Sequence, residues 1–209
     1  MDAALTVVFG DTEQARAAVE RVTAIHRGVR GERDGVPYSA LDPELLLWVH
    51  ATLVDSSIAG YERFVGPLGP DERERYYVEM QRMGTAFGIP QDLHPPTYRD
   101  FLAYLDEAIA GLRIGEESRL VAREALSPPA PLVLLPLGLL SGLLTVGLLP
   151  PRIRRGLGLR WGPGAARMFR AATATVRRTV PLLPDRVRRW PHAREAERRV
   201  GAAAATVAR

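Results

Sequence analysis

A sharp helix start is the feature that most constrains the fold of this chain. Asp42 can accept hydrogen bonds from the first free backbone N–H groups, Pro43 suits the first helical position, and Glu44 complements the positive end of the helix dipole. The apolar residues that follow repeat at a helical period until a Gly- and Pro-rich stretch interrupts them. These signals predict a long helix that ends near Phe64.

Similar signals recur along the chain and predict a helical fold. Two pairs of residues have the spacing of a capping box, namely Asp11 with Gln14 and Thr97 with Asp100. In a capping box, the side chain of each residue accepts a hydrogen bond from the backbone N–H of the other. We find no polar–apolar alternation of useful strand length, and the segment from Gly28 to Tyr38 is typical of a loop. The sequence therefore predicts an all-α protein with one multi-helix domain at residues 1–184 and a basic helical tail at residues 185–209. The predicted helices begin near residues 12, 43, 71, 98, 116, 164 and 185.

Composition narrows the chemistry that is open to the chain. With 209 residues, 46% of them hydrophobic, it can bury a real core. The absence of cysteine excludes disulfides, thiolate metal sites and cysteine nucleophiles. A metal ligand must therefore be histidine, a carboxylate or a weaker oxygen donor.

Charge is divided unequally between the two ends of the sequence. Residues 1–126 contain 21 acidic and 13 basic residues, whereas residues 127–209 contain 3 and 15. We interpret the basic part as a solvated, arginine-rich helical surface, with contact to an anionic membrane surface as an alternative. Nucleic acid is not an expected partner because aromatic residues do not interleave with the arginines. The first residues lack a secretory signal pattern, which favours a cytoplasmic protein, with peripheral membrane association left open.

An uncharged segment of 18 residues, Leu132 to Leu149, precedes these arginines. Its length is at the lower limit for a membrane span. Pro136 and three glycines interrupt it, and Pro150 with Pro151 ends it. We therefore predict a buried or membrane-apposed helix and not a span.

Two of the four histidines lie on apolar helix faces. His26 follows Val22 by one helical turn, and His50 shares a face with Leu46, Val49 and Leu53. A buried imidazole needs a partner, so each is either a hydrogen-bonded core residue or a ligand. His94, beside Pro95 and Pro96, and His192 in the basic tail are predicted to lie on the surface.

Several sequence segments, in order, resemble the MpaB/latex-clearing rubber oxygenase family. They are Phe9-Gly10, Ile25-His26, Gly28 to Tyr38, the block Gly35 to Ser56 with its Val49-His50-Ala51-Thr52 stretch, Leu148 to Arg152 and Gly158 to Trp161. The resemblance implies an α-helical fold, with globin-like packing around haem b. It also implies oxidative cleavage or oxidation of a hydrophobic or polyisoprenoid alkene by dioxygen.

The same resemblance implies roles for individual residues. His26 best matches the histidine that ligates the haem iron. His50 and Thr52 match a stretch that lines or supports the pocket, with Thr52 as a hydrogen-bond donor near haem or oxygen. His50 is then a supporting residue or an alternative ligand. Asp55 is expected to anchor an arginine or the partner of a propionate-binding group, with an ordinary buried ion pair as the alternative.

One departure from the family concerns the segment upstream of the Phe9-Gly10 step. The resemblance implies a preceding helix with basic and Thr residues that completes the distal pocket, and the sequence starts only nine residues before Gly10. Either the start codon is misassigned or the protein is truncated, and for the truncated form we expect haem binding with weak or no oxygenase turnover. The alternative function is that of a non-catalytic helical protein, which docks on a membrane surface or a partner through its arginine-rich C-terminal half.

Overall fold

The predicted all-α class is confirmed. The computed structural model describes residues 2–33, 35–126 and 135–207. These residues form α-helices, one two-stranded hairpin, and 3₁₀ turns at Gln91–Leu93 and Val180–Leu182. The elements in chain order are α1 (Asp2–Phe9), α2 (Thr12–Arg27), β1 (Arg30–Arg33), β2 (Val36–Ser39), α3 (Pro43–Phe64), α4 (Pro70–Ala86), α5 (Tyr98–Gly111), α6 (Glu116–Leu126), α7 (Leu135–Leu148), α8 (Pro151–Gly156), α9 (Pro163–Thr179), α10 (Asp185–Arg188) and α11 (Pro191–Val207).

Helix caps form where the sequence predicts them. The Asp11 carboxylate accepts a hydrogen bond from the Gln14 backbone N–H at 2.8 Å, and the Gln14 side chain accepts one from the Asp11 N–H at 3.1 Å. The Asp42 carboxylate accepts from the Glu44 N–H at 2.9 Å, and α3 ends at Phe64. Each cap satisfies a donor that the helix itself cannot pair, which fixes where the helix begins.

The segment predicted as a loop contains a small β-hairpin, so that prediction is wrong. Strands β1 and β2 pair antiparallel, with Arg30 opposite Ser39 and Arg33 opposite Val36. Gly35 adopts a φ of 78°, a conformation that glycine reaches without strain, and it closes the turn. Both strands are mostly exposed, so their sequence lacks the alternation that marks a half-buried strand.

Two helical regions differ from the prediction at the ends of the chain. Helix α1 is an addition to the predicted helices. The helix expected at residues 185–205 is two helices, α10 and α11, separated at Arg189 and Trp190. Pro191 explains the break, because proline disfavours helical backbone at the residue before it.

Helix α7 is more exposed than predicted. None of its residues is buried, and Leu135, Leu137, Leu139 and Leu140 are exposed, so the prediction of a buried helix is wrong for its first half. Residues 132–134 of the predicted segment lie outside the described residues. None of the described helices combines the length and apolar character needed to cross a membrane. Membrane apposition stays a prediction.

The chain divides into two compact units. The first comprises Met1–His50, Val78–His94 and Val180–Arg209, and the second comprises Ala51–Tyr77 and Pro95–Thr179. In the first unit, α1 packs against α2 and α11. In the second unit, Tyr77 and Phe101 are buried with their ring centroids 4.9 Å apart. The boundary at residue 184 between a domain and a tail stays a prediction.

The buried face of α3 is not the face predicted from the sequence. Its buried apolar side chains are those of Leu47, Ala51, Val54 and Ile58, whereas Val49 and Leu53 are 56% and 50% exposed. The buried stripe stays apolar over three helical turns, but the stripe through Leu53 runs into Ser56 and Ser57. The longer stripe removes more apolar surface from water and is the one that packs. His50 is buried beside it, as expected.

This assignment predicts different costs for two Leu→Ala substitutions on α3. Leu47→Ala leaves a cavity and should lower the free energy of unfolding by about 2–5 kcal/mol. Leu53→Ala removes an exposed side chain and should change it by about 0.5 kcal/mol or less. Urea denaturation of both variants measures the difference. Equal losses would contradict the assigned face.

Candidate functional site

Two buried histidine rings meet in the first unit. His50 projects from α3, and His94 follows the 3₁₀ turn after α4. Their ring centroids are 5.8 Å apart with the ring planes at 78°, an edge-on arrangement. Only 7% of His50 and 6% of His94 is exposed. The prediction of a surface position for His94 is therefore wrong.

Gly84 on α4 makes this arrangement possible. A Cβ atom at this position would lie 2.6 Å from His94 Cε1 and 3.1 Å from His50 Nε2. The first distance is shorter than any ordinary contact between carbon atoms. Both rings therefore border the same point on the Gly84 backbone, and only a residue without a side chain leaves room for them.

One ring nitrogen of His50 is buried without a partner. Nε2 lies out of contact with solvent and takes part in no hydrogen bond. Among the described residues, the backbone of Met80 is the one neighbour that favours the protonated ring.

His94 presents a second unpartnered nitrogen. Its Nε2 is also buried without a hydrogen-bond partner. A buried polar atom without a hydrogen-bond partner destabilises the fold by about 1–3 kcal/mol. Two such atoms close together therefore indicate a candidate ligand-binding site. In a neutral imidazole, one nitrogen accepts a hydrogen bond or ligates a metal and the other donates.

Burial keeps both rings neutral. Desolvation is the larger cause that lowers the pKa of His50 to about 4, and the neighbouring His94 lowers it further against the opposing bond to Met80. Burial also lowers the pKa of His94. Both imidazoles are therefore uncharged at neutral pH.

His26 lies at the end of α2 and is half-buried. Among the described residues, none forms a hydrogen bond or ion pair with its imidazole, and His26 makes no ring contact with His50 or His94. Ile25 beside it is 66% exposed, so the apolar stripe of α2 does not stay buried to its end. The imidazole of His26 is open to a ligand, and its role stays a prediction.

Thr52 and Asp55 belong to the second unit, and both are half-buried. Burial raises the pKa of Asp55, and the negative charge of Asp106 raises it further. No arginine pairs with Asp55 within the described ranges, so the expected ion pair is not found. The role of Thr52 stays a prediction.

His94 is the residue that sequence reasoning misses. The stretch Leu93-His94-Pro95-Pro96 has the composition of an exposed turn. The informative residue is Gly84, since a glycine inside a helix often marks close packing by another side chain. Nothing in the sequence links Gly84 to His94, because the contact depends on how the chain returns after α4.

The close packing at Gly84 predicts opposite effects for two Gly→Ala substitutions. Gly84→Ala forces the two imidazoles apart and should destabilise the protein by about 1–3 kcal/mol. Gly60→Ala is the matched control, because Gly60 also lies inside a helix and its Cβ would meet nothing within 4 Å. It should stabilise the protein by about 0.5–1 kcal/mol. Thermal or urea unfolding distinguishes them, and a neutral Gly84→Ala would contradict the packing.

The lowered pKa of His50 predicts acid sensitivity. The unfolded histidine takes up a proton below its ordinary pKa of 6.5, whereas the folded one does so only near 4, so the free energy of unfolding falls as pH decreases through this range. The loss from His50 should be about 3 kcal/mol at the lower end. His50→Gln should flatten the pH profile, and substitution of the exposed His192 by Gln should not. A His50→Gln profile as steep as that of the parent protein would overturn the assignment.

Comparison with known proteins places these features in a family. Residues 1–178 match the family described as the ER-bound oxygenase mpaB/B'/Rubber oxygenase, catalytic domain. Similar proteins include an uncharacterized protein of Mycobacterium bovis and another of Mycobacterium tuberculosis. Each is 32% identical over 189 residues, which cover 87% of this chain and 73% of the relative. No solved structure matches the chain. Because the family match covers most of the sequence, we conclude that the chain belongs to the mpaB/rubber oxygenase family.

Proposed function

We propose that the protein is a haem b-dependent oxygenase that oxidises or cleaves a hydrophobic, isoprenoid-type alkene with dioxygen. The match of residues 1–178 to an oxygenase catalytic domain is the observation that carries this proposal. The requirement for haem and the class of alkene come from the resemblance noted in the sequence. When bound, haem iron supplies the redox chemistry that dioxygen needs to react with a carbon–carbon double bond.

The histidines of the first unit fit a haem ligand chemically. Haem iron binds a neutral imidazole nitrogen, and the chain has no cysteine to offer as an alternative. We propose His26 as the axial ligand, on the resemblance and on its unpartnered ring. His50 is the alternative ligand, because its Nε2 has no hydrogen-bond partner and burial keeps the ring neutral.

His50 has a second role available if His26 holds the iron. Its Nε2 has no hydrogen-bond partner, so it is available to hold a water molecule or another polar group. The low pKa prevents the ring from becoming charged at neutral pH. A neutral ring suits a hydrophobic substrate better than a charged one.

Titration of the full chain with hemin tests the proposal. The parent protein should develop a Soret band with a one-to-one endpoint, and His26→Ala should abolish it. His94→Ala and the exposed-site control His192→Ala should retain it. Circular dichroism of each variant establishes that it is folded.

The outcome for His50 separates the two candidate ligands. If His26→Ala keeps full haem occupancy while a folded His50→Ala loses it, His50 is the ligand and the assignment of His26 is wrong. If the parent protein binds no haem, the proposal fails. Oxygen uptake and carbonyl products from a small isoprenoid alkene then test whether the haem-loaded protein turns over.

A further inference from the structure

Arginines line a cleft in the second unit. The cleft lies between the C-terminal end of α3 and α9 and has a volume of about 580 Å³. Four guanidinium groups and one carboxylate border it, those of Arg63, Arg170, Arg177, Arg178 and Glu62. On α9, Arg177 and Arg178 are adjacent and follow Arg170 by about two helical turns. The three arginines therefore share one side of that helix. The cleft therefore concentrates positive charge.

The one carboxylate does not neutralise these arginines. Glu62 accepts two hydrogen bonds from Arg73, at 2.8 Å from Nε and 2.5 Å from one terminal nitrogen. Arg63 is held differently, with its guanidinium carbon 5.1 Å from the centre of the Phe169 ring. Arg170, Arg177 and Arg178 form no ion pair with any described residue.

A cluster of unpaired guanidinium groups favours a multiply charged anion. Like charges in a cleft repel each other and raise the local positive potential. Guanidinium groups bind phosphate in a planar, two-bond geometry, and several of them can share its oxygen atoms. We propose that this cleft binds the phosphate group of a phosphate ester, independently of the proposed oxygenase activity.

An adjoining cleft indicates what the phosphate is attached to. It has a volume of about 540 Å³ and shares Arg63 and Arg177 with the first cleft. Ala59, Pro67 and Leu148 supply apolar walls, and the paired Glu62 and Arg73 border it as well. An apolar chain attached to the phosphate would have room beside the arginines. The ligand is then an amphiphilic phosphate ester, either a free molecule or a membrane lipid with its headgroup in the cleft.

Calorimetry of the full chain tests the phosphate site. Titration with inorganic pyrophosphate and with octyl phosphate, in about 150 mM salt to screen weak surface binding, should give saturable binding, tighter for octyl phosphate. Arg177→Gln and Arg170→Gln should each weaken it by about tenfold. Arg167→Gln is the matched control, because Arg167 is an exposed arginine of the same helix that does not line either cleft. It should leave the affinity within about twofold.

Sedimentation with vesicles distinguishes the two sources of the phosphate. Binding to phosphatidate-containing vesicles, absent with phosphatidylcholine alone and lost in Arg177→Gln, would assign the cleft to a lipid headgroup even if pyrophosphate does not bind. Saturable binding of octyl phosphate without vesicle binding would assign it to a free ester. The proposal is overturned if none of these ligands binds, or if Arg167→Gln weakens binding as much as Arg177→Gln. Unchanged melting temperatures of the variants exclude unfolding as the cause.

Discussion

The packing of two imidazole rings on the backbone of Gly84 is the constraint on which the proposed site depends. It sets how closely the α4 backbone approaches His50. It also keeps His94 buried, although the segment around His94 has the composition of an exposed turn. Burial lowers the pKa of both rings, and the Nε2 atom of each ring has no hydrogen-bond partner.

The sequence predicts local structure well where local chemistry decides it. Asp11, Asp42 and Thr97 cap their helices as expected, because a cap needs only residues three or fewer positions apart. The sequence prediction selects the wrong buried stripe of α3, since two apolar stripes compete there and only packing chooses between them. It misses the hairpin at β1 and β2 because exposed strands carry no hydrophobic pattern.

The candidate site shows the same division between local and long-range information. His50 can be recognised because a polar residue on an apolar helix is visible in the sequence. His94 cannot, because its burial depends on residues distant along the chain. The unequal distribution of charge is also visible in the sequence. The sequence does not show that Arg63, from the acidic part, lines the same cleft as the arginines of α9. Membership of the family indicates an oxygenase, which neither the histidine pattern nor the charge pattern shows.

The central claim is that His50 is a buried imidazole that stays uncharged well below the ordinary pKa of histidine. Long-range proton–nitrogen correlation spectroscopy of the ¹⁵N-histidine-labelled protein, followed across pH, reads the protonation of each ring nitrogen directly. We expect His50 to remain neutral as the pH falls through 6.5, the ordinary pKa of histidine, and to become charged only near pH 4. A His50 ring that becomes charged near pH 6.5 would contradict the claim.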